Sequence, residues 1–215
     1  RSPSVSNDGR APSLYNSFLG ELFCHYDRIL YLCVIILRDM INQIKYSLVW
    51  LRRIMHCRGF GIQSPVDYAF VRYVINEHWP YYCYDTMEEK DWLRRKLGQL
   101  YMRLANWRRP THMKRDEYEQ WWKAGSQRIV FCDTDDCTGL VELERIKVDE
   151  RDRWEALKTR CDQHSVVVVE DISRDWARWH EMEGDAEVGT TFDLYYCGIV
   201  FFDTNRYRHH YVINF

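Results

Sequence analysis

The chain has 215 residues, with 30 Lys and Arg against 32 Asp and Glu, and its net charge of −2 excludes a global attraction to nucleic acid or to anionic membranes. Apolar residues make up 46% and charged residues 29%, the balance of a soluble globular protein, and the length suits one domain with an appendage. The 8 cysteines are scattered and form no Cys-x-x-Cys pair, and the first residues show no signal peptide; reduced, buried thiols and a cytoplasmic location are therefore expected.

Residues 1–13 are rich in Ser and Pro and read as a disordered tail. Residues 14–57 form an N-terminal helical extension, with no Pro and a single glycine, Gly20, before His56. Its apolar run at residues 29–37 is closed by Asp27 and Arg28 on one side and by Arg38 and Asp39 on the other. A membrane span needs roughly 20 apolar residues, so no transmembrane segment is expected. Leu30, Val34, Leu37, Ile41, Ile44, Leu48, Leu51 and Met55 recur at alternating steps of four and three, a heptad-type seam. Such a seam packs on its own domain or on another chain. A straight helix of this length, about 60 Å at 1.5 Å per residue, would overhang a domain of this size. That favours a protein partner or a homodimer through the helix.

The α/β domain is expected over residues 58–215. Gly59 and Gly61 break the helix; Ser64 reads as an N-cap and Pro65 as the first residue of a helix reaching Glu77. Helices are expected over residues 87–107, stopped by Pro110, and over residues 115–123. The run RIVFC at residues 128–132 reads as a strand, residues 149–161 as a helix, and the four valines 166–169 as a strand buried on both faces. A helix over residues 174–182 precedes three strands, at 190–196, 198–202 and 209–215. The first two are expected to be joined tightly at Cys197-Gly198. The pattern predicts a doubly wound sheet with the valine strand at its centre and an antiparallel C-terminal edge.

The segments RGFGIQSPVDYAFVRYVI, YYCYD and KLGQLYMRLANWRRPT, followed by VVVVEDI, TTFDLYYCGIVFF and HHYVINF, resemble in order a bacterial family of class I S-adenosylmethionine-dependent methyltransferases. The resemblance covers about half of the chain and implies a shortened Rossmann-like methyltransferase sheet. It also marks departures. The family's glycine-containing cofactor loop is replaced by THMKRDEYEQWWKAG, which puts Arg115, Asp116, Trp121 and Trp122 where small residues are needed. The family's glycine turn has two histidines where Phe60 and Gln63 stand here, and the strand ending in Asp-Gly is expected to be missing, because residues 137–165 leave little room for it. The resemblance implies that Asp133, after RIVFC, would hold the ribose hydroxyls if cofactor were bound.

Glu170 and Asp171 end the valine strand, where open α/β sheets bind ligands, and with Asp133 they are the candidate cofactor residues. The alternative is that Asp171 or Ser173 caps the following helix. Cys132, Cys137, Cys161 and His164 have a spacing too loose for a zinc set, and no metal is expected. Arg94, Arg95, Lys96, Arg103, Arg108, Arg109, Lys114 and Arg115 form a basic segment interleaved with Trp92, Tyr101 and Trp107. They are candidates for binding nucleic acid or an acidic partner, against the alternative of a solvated helix face. The leading expectation is a non-catalytic, methyltransferase-like pseudoenzyme that binds a partner and no cofactor. An active S-adenosylmethionine-dependent methyltransferase with an atypical loop is the second reading, and an RNA- or DNA-binding module is the third.

Overall fold

The computed structural model describes residues 33–38, 40–133, 139–205 and 207–215. The chain divides into two units, Arg1–Arg52 and Arg53–Phe215. In the first unit, residues 33–38 and 40–52 are helical (α1). None of its described residues is fully buried, and Val34, Leu37, Ile41, Ile44, Leu48 and Leu51 of the seam are all exposed. The expected tail at residues 1–13, the helix over residues 14–32 and the seam residue Leu30 lie outside the described residues. Among the described residues no helix is long and apolar enough to cross a membrane.

The second unit is mixed α/β. Its helices are α2 (Pro65–Phe70), α3 (Tyr82–Thr86), α4 (Trp92–Arg108), α5 (Glu119–Gly125), α6 (Arg151–Lys158) and α7 (Trp176–Gly184). Its strands are β1 (His112–Lys114), β2 (Val130–Cys132), β3 (Leu143–Lys147), β4 (Val166–Glu170), β5 (Thr190–Asp193), β6 (Cys197–Phe201) and β7 (His209–Val212). Strands β1 and β2 form a parallel pair, and the other five form a mixed sheet in the order β3-β4-β6-β5-β7.

Local chemistry sets the helix starts. The Ser64 hydroxyl accepts from the amide of Asp67 at 3.3 Å, with Pro65 in the first turn, as the sequence predicts. The helix does not run unbroken to Glu77: after Phe70 it widens into a π-turn, Val71–Ile75. Asp91 caps α4, accepting from the amide of Arg94 at 2.8 Å, so that helix starts five residues later than expected. Helix α7 is capped by Asp175, not by Asp171 or Ser173; Asp171 instead adopts a left-handed conformation at φ 61° and opens a short 3-10 turn.

The four valines form a strand buried on both faces, as expected, but it is second of five in the sheet and not at its centre, which is β6; β3 lies parallel on one side of it and β6 antiparallel on the other. Val167 and Val169 pack with Trp154 and Leu157 of α6 and with Trp179 and Met182 of α7. On the opposite face, Tyr101 of α4 reaches Glu170, and Phe70 of α2 packs 5.1 Å from the rings of both Phe192 and Phe201. Three further expectations are corrected here. The antiparallel strand is not at the edge: β6 lies inside the sheet, and the edge strand β7 runs parallel to β5. The β5–β6 turn lies at Leu194–Tyr196, with Tyr195 at φ 73°, and Gly198 serves packing instead, because a Cβ there would lie 2.1 Å from the ring of Trp179. An unexpected strand, β3, does fit between residues 137 and 165, ahead of α6, the helix expected over residues 149–161. The strand was obscured because three of the five residues of LERIK are charged and do not alternate with apolar ones, yet its first four residues are buried.

Candidate functional site

Strand β3 carries the charged residues around which the site is built. A buried arginine and a buried glutamate stand side by side on it, one to each face, since successive side chains alternate. Glu144 is paired with Arg153 of α6 at 2.6 Å. Arg145 points to the other face, where its guanidinium bonds the carboxylate of Glu170, the Asp116 carboxylate at 2.7 Å and the Glu117 carboxylate at 2.6 Å. Desolvating a guanidinium is costly unless it is paired, and three acids from two segments surround this one. They hold the Arg145 pKa above its ordinary value despite burial.

Aromatic rings close the cluster. The Tyr101 hydroxyl donates to the second oxygen of Glu170. The Tyr101 ring stacks on Trp122, with centroids 4.6 Å apart and planes 11° apart, and meets Tyr118 edge-on at 4.8 Å. The Trp122 indole donates to Asp116 at 3.1 Å, and the Arg145 guanidinium lies over the Tyr118 ring at 5.0 Å. Burial raises the Glu170 carboxyl pKa and outweighs the opposing pull of Arg145. Burial, and the Glu170 carboxylate beside it, push the Tyr101 hydroxyl well above 10. Asp116, Glu170, Arg145, Tyr101 and Trp122 are thus each held by another side chain of the cluster. Two glycines let α4 and α5 come close enough for this: a Cβ on Gly98 would strike Trp121 at 2.4 Å, and one on Gly125 would strike the Met102 carbonyl at 2.1 Å.

The three candidate cofactor residues are not brought to one another by any bond. Asp133 is exposed and pairs with Arg115 at 2.6 Å, and Arg115 also pairs with Glu119. Glu170 belongs to the buried cluster, and Asp171 takes an ion pair from Arg174 at 3.2 Å. Trp122 is buried and stacks on Tyr101, the partner of Glu170, whereas Arg115 lies at the surface.

The eight basic residues do not share one exposed face. Arg103 is buried and donates to the carbonyls of Val74 and Ile75, which the π-turn leaves open, and to the Tyr84 hydroxyl at 2.9 Å. Lys96 is half-buried, Arg94 pairs with Glu89 at 3.2 Å, and Arg108 donates to the carbonyl of Glu142 at 3.2 Å. Arg95 and Arg109 are exposed, and Lys114 is half-buried in β1. Among the described residues no group of His, Cys, Asp and Glu is arranged to hold a metal. Cys132 is disulfide-bonded, in contrast to the expected thiols, while Cys33, Cys57, Cys83, Cys161 and Cys197 are free; Cys137 lies outside the described residues. Burial pushes the Cys161 thiol pKa up to about 12, which leaves it a weak nucleophile and ligand.

Beside this filled end lies a cavity of about 520 Å³, bordered by the segment that follows the π-turn, by α3, by the first turns of α4 and by Phe215. The sequence reading did not find it, although it had singled out Arg95, Lys96 and Arg103, which line it. Comparison with protein-family models, with curated proteins and with solved structures finds no match to this chain.

Proposed function

We propose that this chain is a non-catalytic binding protein, a methyltransferase-like α/β frame whose cofactor end is closed by its own side chains and which pairs with a second copy of itself through helix α1. The observation that carries the reading is the Asp116–Arg145–Glu170–Tyr101 cluster, which joins the middle of β3 to Glu170, the last residue of β4. The carboxyl end of such a strand is where an open α/β sheet takes its ligand. Admitting the cofactor's methionine part there would require the buried ion pairs to separate. The mixed sheet and the ordered resemblance of six segments support the frame. The exposed apolar seam supports the pairing: Val34, Ile41, Ile44, Leu48 and Leu51 are each between 52% and 59% exposed, a stripe that a second helix would remove from water.

Two measurements on the full chain test the proposal. Calorimetric titration with S-adenosylmethionine and S-adenosylhomocysteine should give no saturable binding; a micromolar dissociation constant that Asp133→Ala abolishes would instead restore the enzyme reading. Light scattering should give the mass of a dimer, and Ile41→Lys with Ile44→Glu should give a monomer. A monomer for both chains would remove the pairing.

A further inference from the structure

The cavity beside α4 is lined by two cations, Lys96 and Arg103, that form no ion pair among the described residues. Arg103 is 94% buried by side-chain and backbone neighbours (6% exposed), and its three bonds go to neutral oxygens: two carbonyls and a phenol. No carboxylate pairs with it among the described residues. Lys96, two turns earlier on the cavity side of α4, has no hydrogen-bonding partner among the described residues; its ammonium sits between two rings, 4.8 Å from the centre of Trp92 and 4.6 Å from that of Phe215. Burial, and then the charge of Arg103, lower the Lys96 pKa from 10.5 to about 8, so the two cations destabilise each other. A third donor is unmet. Asn76, which also lines the cavity, is 8% exposed, and its side-chain nitrogen is buried without a hydrogen-bond partner among the described residues. Two acids border the cavity as well. Glu77 accepts from the Tyr81 hydroxyl at 2.8 Å, and Asp85 is exposed at the rim.

Unpaired buried charge and an unmet buried donor are rare in folded proteins and call for a compensating group. Here they converge on a concave space of about 520 Å³, within the roughly 300–1,000 Å³ of small-molecule sites. Four aromatic side chains, Trp92, Tyr81, Tyr84 and Phe215, form much of the uncharged wall, beside Ile75, Pro80 and Gln99. We propose that this cavity is a binding site for a small planar organic anion, its acidic group held by Lys96 and Arg103 and its ring lying between the aromatic walls. An acidic group placed there answers both cations and offers acceptors to the neighbouring donors. A ring takes the place of water against Trp92 and the tyrosines. The site is separate from the cluster at Glu170 and does not depend on pairing through α1, so it can fail or hold independently of the function proposed above.

The test is calorimetric titration of the full chain with benzoate and with phenyl phosphate, with benzamide as the neutral isostere of benzoate. We expect saturable binding of one anion or both and none of benzamide. Tighter binding of benzoate assigns a carboxylate ligand, and tighter binding of phenyl phosphate assigns a phosphate ester. Lys96→Met should weaken the anion by about tenfold or more, the loss of one charge-assisted hydrogen bond, while Lys96→Arg should keep it. If Lys96→Met does not fold, as judged by circular dichroism, the wild-type chain still decides. Its affinity should fall as pH is raised through about 8, where the Lys96 ammonium is lost. The other titratable groups facing Lys96 are Arg95, Arg103, Glu77, Asp85, His78, Tyr81 and Tyr84. Guanidinium and carboxylate groups do not ordinarily titrate near that pH. Burial lowers His78 and raises both tyrosines, away from it. Equal binding of benzamide and benzoate, unchanged anion binding in folded Lys96→Met, a pH-independent affinity, or no saturation by either anion up to about 10 mM would each overturn the proposal.

Discussion

Replacing Arg145 with Met removes the one cation that three acids share, and keeps most of the side-chain volume. Arg145 is 7% exposed and Glu170 6%, so the Glu170 carboxylate left behind cannot be rehydrated without opening the cluster. Breaking a buried pair by removing one partner costs about 3–5 kcal/mol, because the remaining charge is uncompensated. In a domain of this size that lowers the melting temperature by roughly 10 °C. The loss has a pH signature. The Glu170 carboxyl pKa is already raised in the folded chain by burial, so its contribution to stability is fully present below about 4.5 and is lost as pH rises through the folded value. Without the opposing pull of Arg145 that value climbs further, and the variant loses stability over a higher pH range than the wild type. Urea unfolding at neutral pH should therefore show the full deficit, and the deficit should shrink as pH is lowered toward about 4.5. The double variant Arg145→Leu with Glu170→Leu should recover most of the loss, since no buried carboxylate is stranded at Glu170. A single-variant cost below about 1 kcal/mol would mean that water reaches Glu170 and that the end of the sheet is open.

Gly198→Ala should destabilise the fold by about 1–3 kcal/mol, because its Cβ would lie 2.1 Å from the buried ring of Trp179; an unchanged urea midpoint would refute the close packing of α7 on β6. In the absence of any ligand, the lowered Lys96 pKa means that the folded chain gives up this proton more readily than the unfolded one. Stability should therefore rise relative to Lys96→Met as pH increases from about 8 toward 10.5, and parallel stability–pH curves for the two chains would show that Lys96 is not buried. Asp91→Ala should cost about 1 kcal/mol by leaving the amide of Arg94 without its acceptor, read as a lower urea midpoint at an unchanged slope.

Signals that act over a few residues were legible in the sequence. Ser64 and Pro65 announced a helix start, Gly59 and Gly61 a chain break, and the valine run an interior strand, because each depends on backbone conformation or on solvent exclusion by the segment's own composition. The heptad-type spacing of α1 was legible for the same reason.

Tertiary structure alone decided the fate of the charges. LERIK looks like a surface segment, and it becomes a buried strand only because Arg153 lies beside Glu144, and Asp116 and Glu170 lie beside Arg145. The run of basic residues in α4 looks like one patch, but helical rotation and packing split it. Arg103 turns inward to carbonyls freed by the π-turn, Arg94 meets Glu89, and Lys96 faces a cavity walled in part by Phe215. Whether a charge is buried depends on partners tens of residues away in the chain, and the cost of burying it without them is several kcal/mol. Sequence spacing carries the period of a helix or strand, but it holds no record of which distant groups will stand within 3 Å of a given side chain, and it was those groups that closed one end of the sheet and left the cavity beside α4 with cations unpaired.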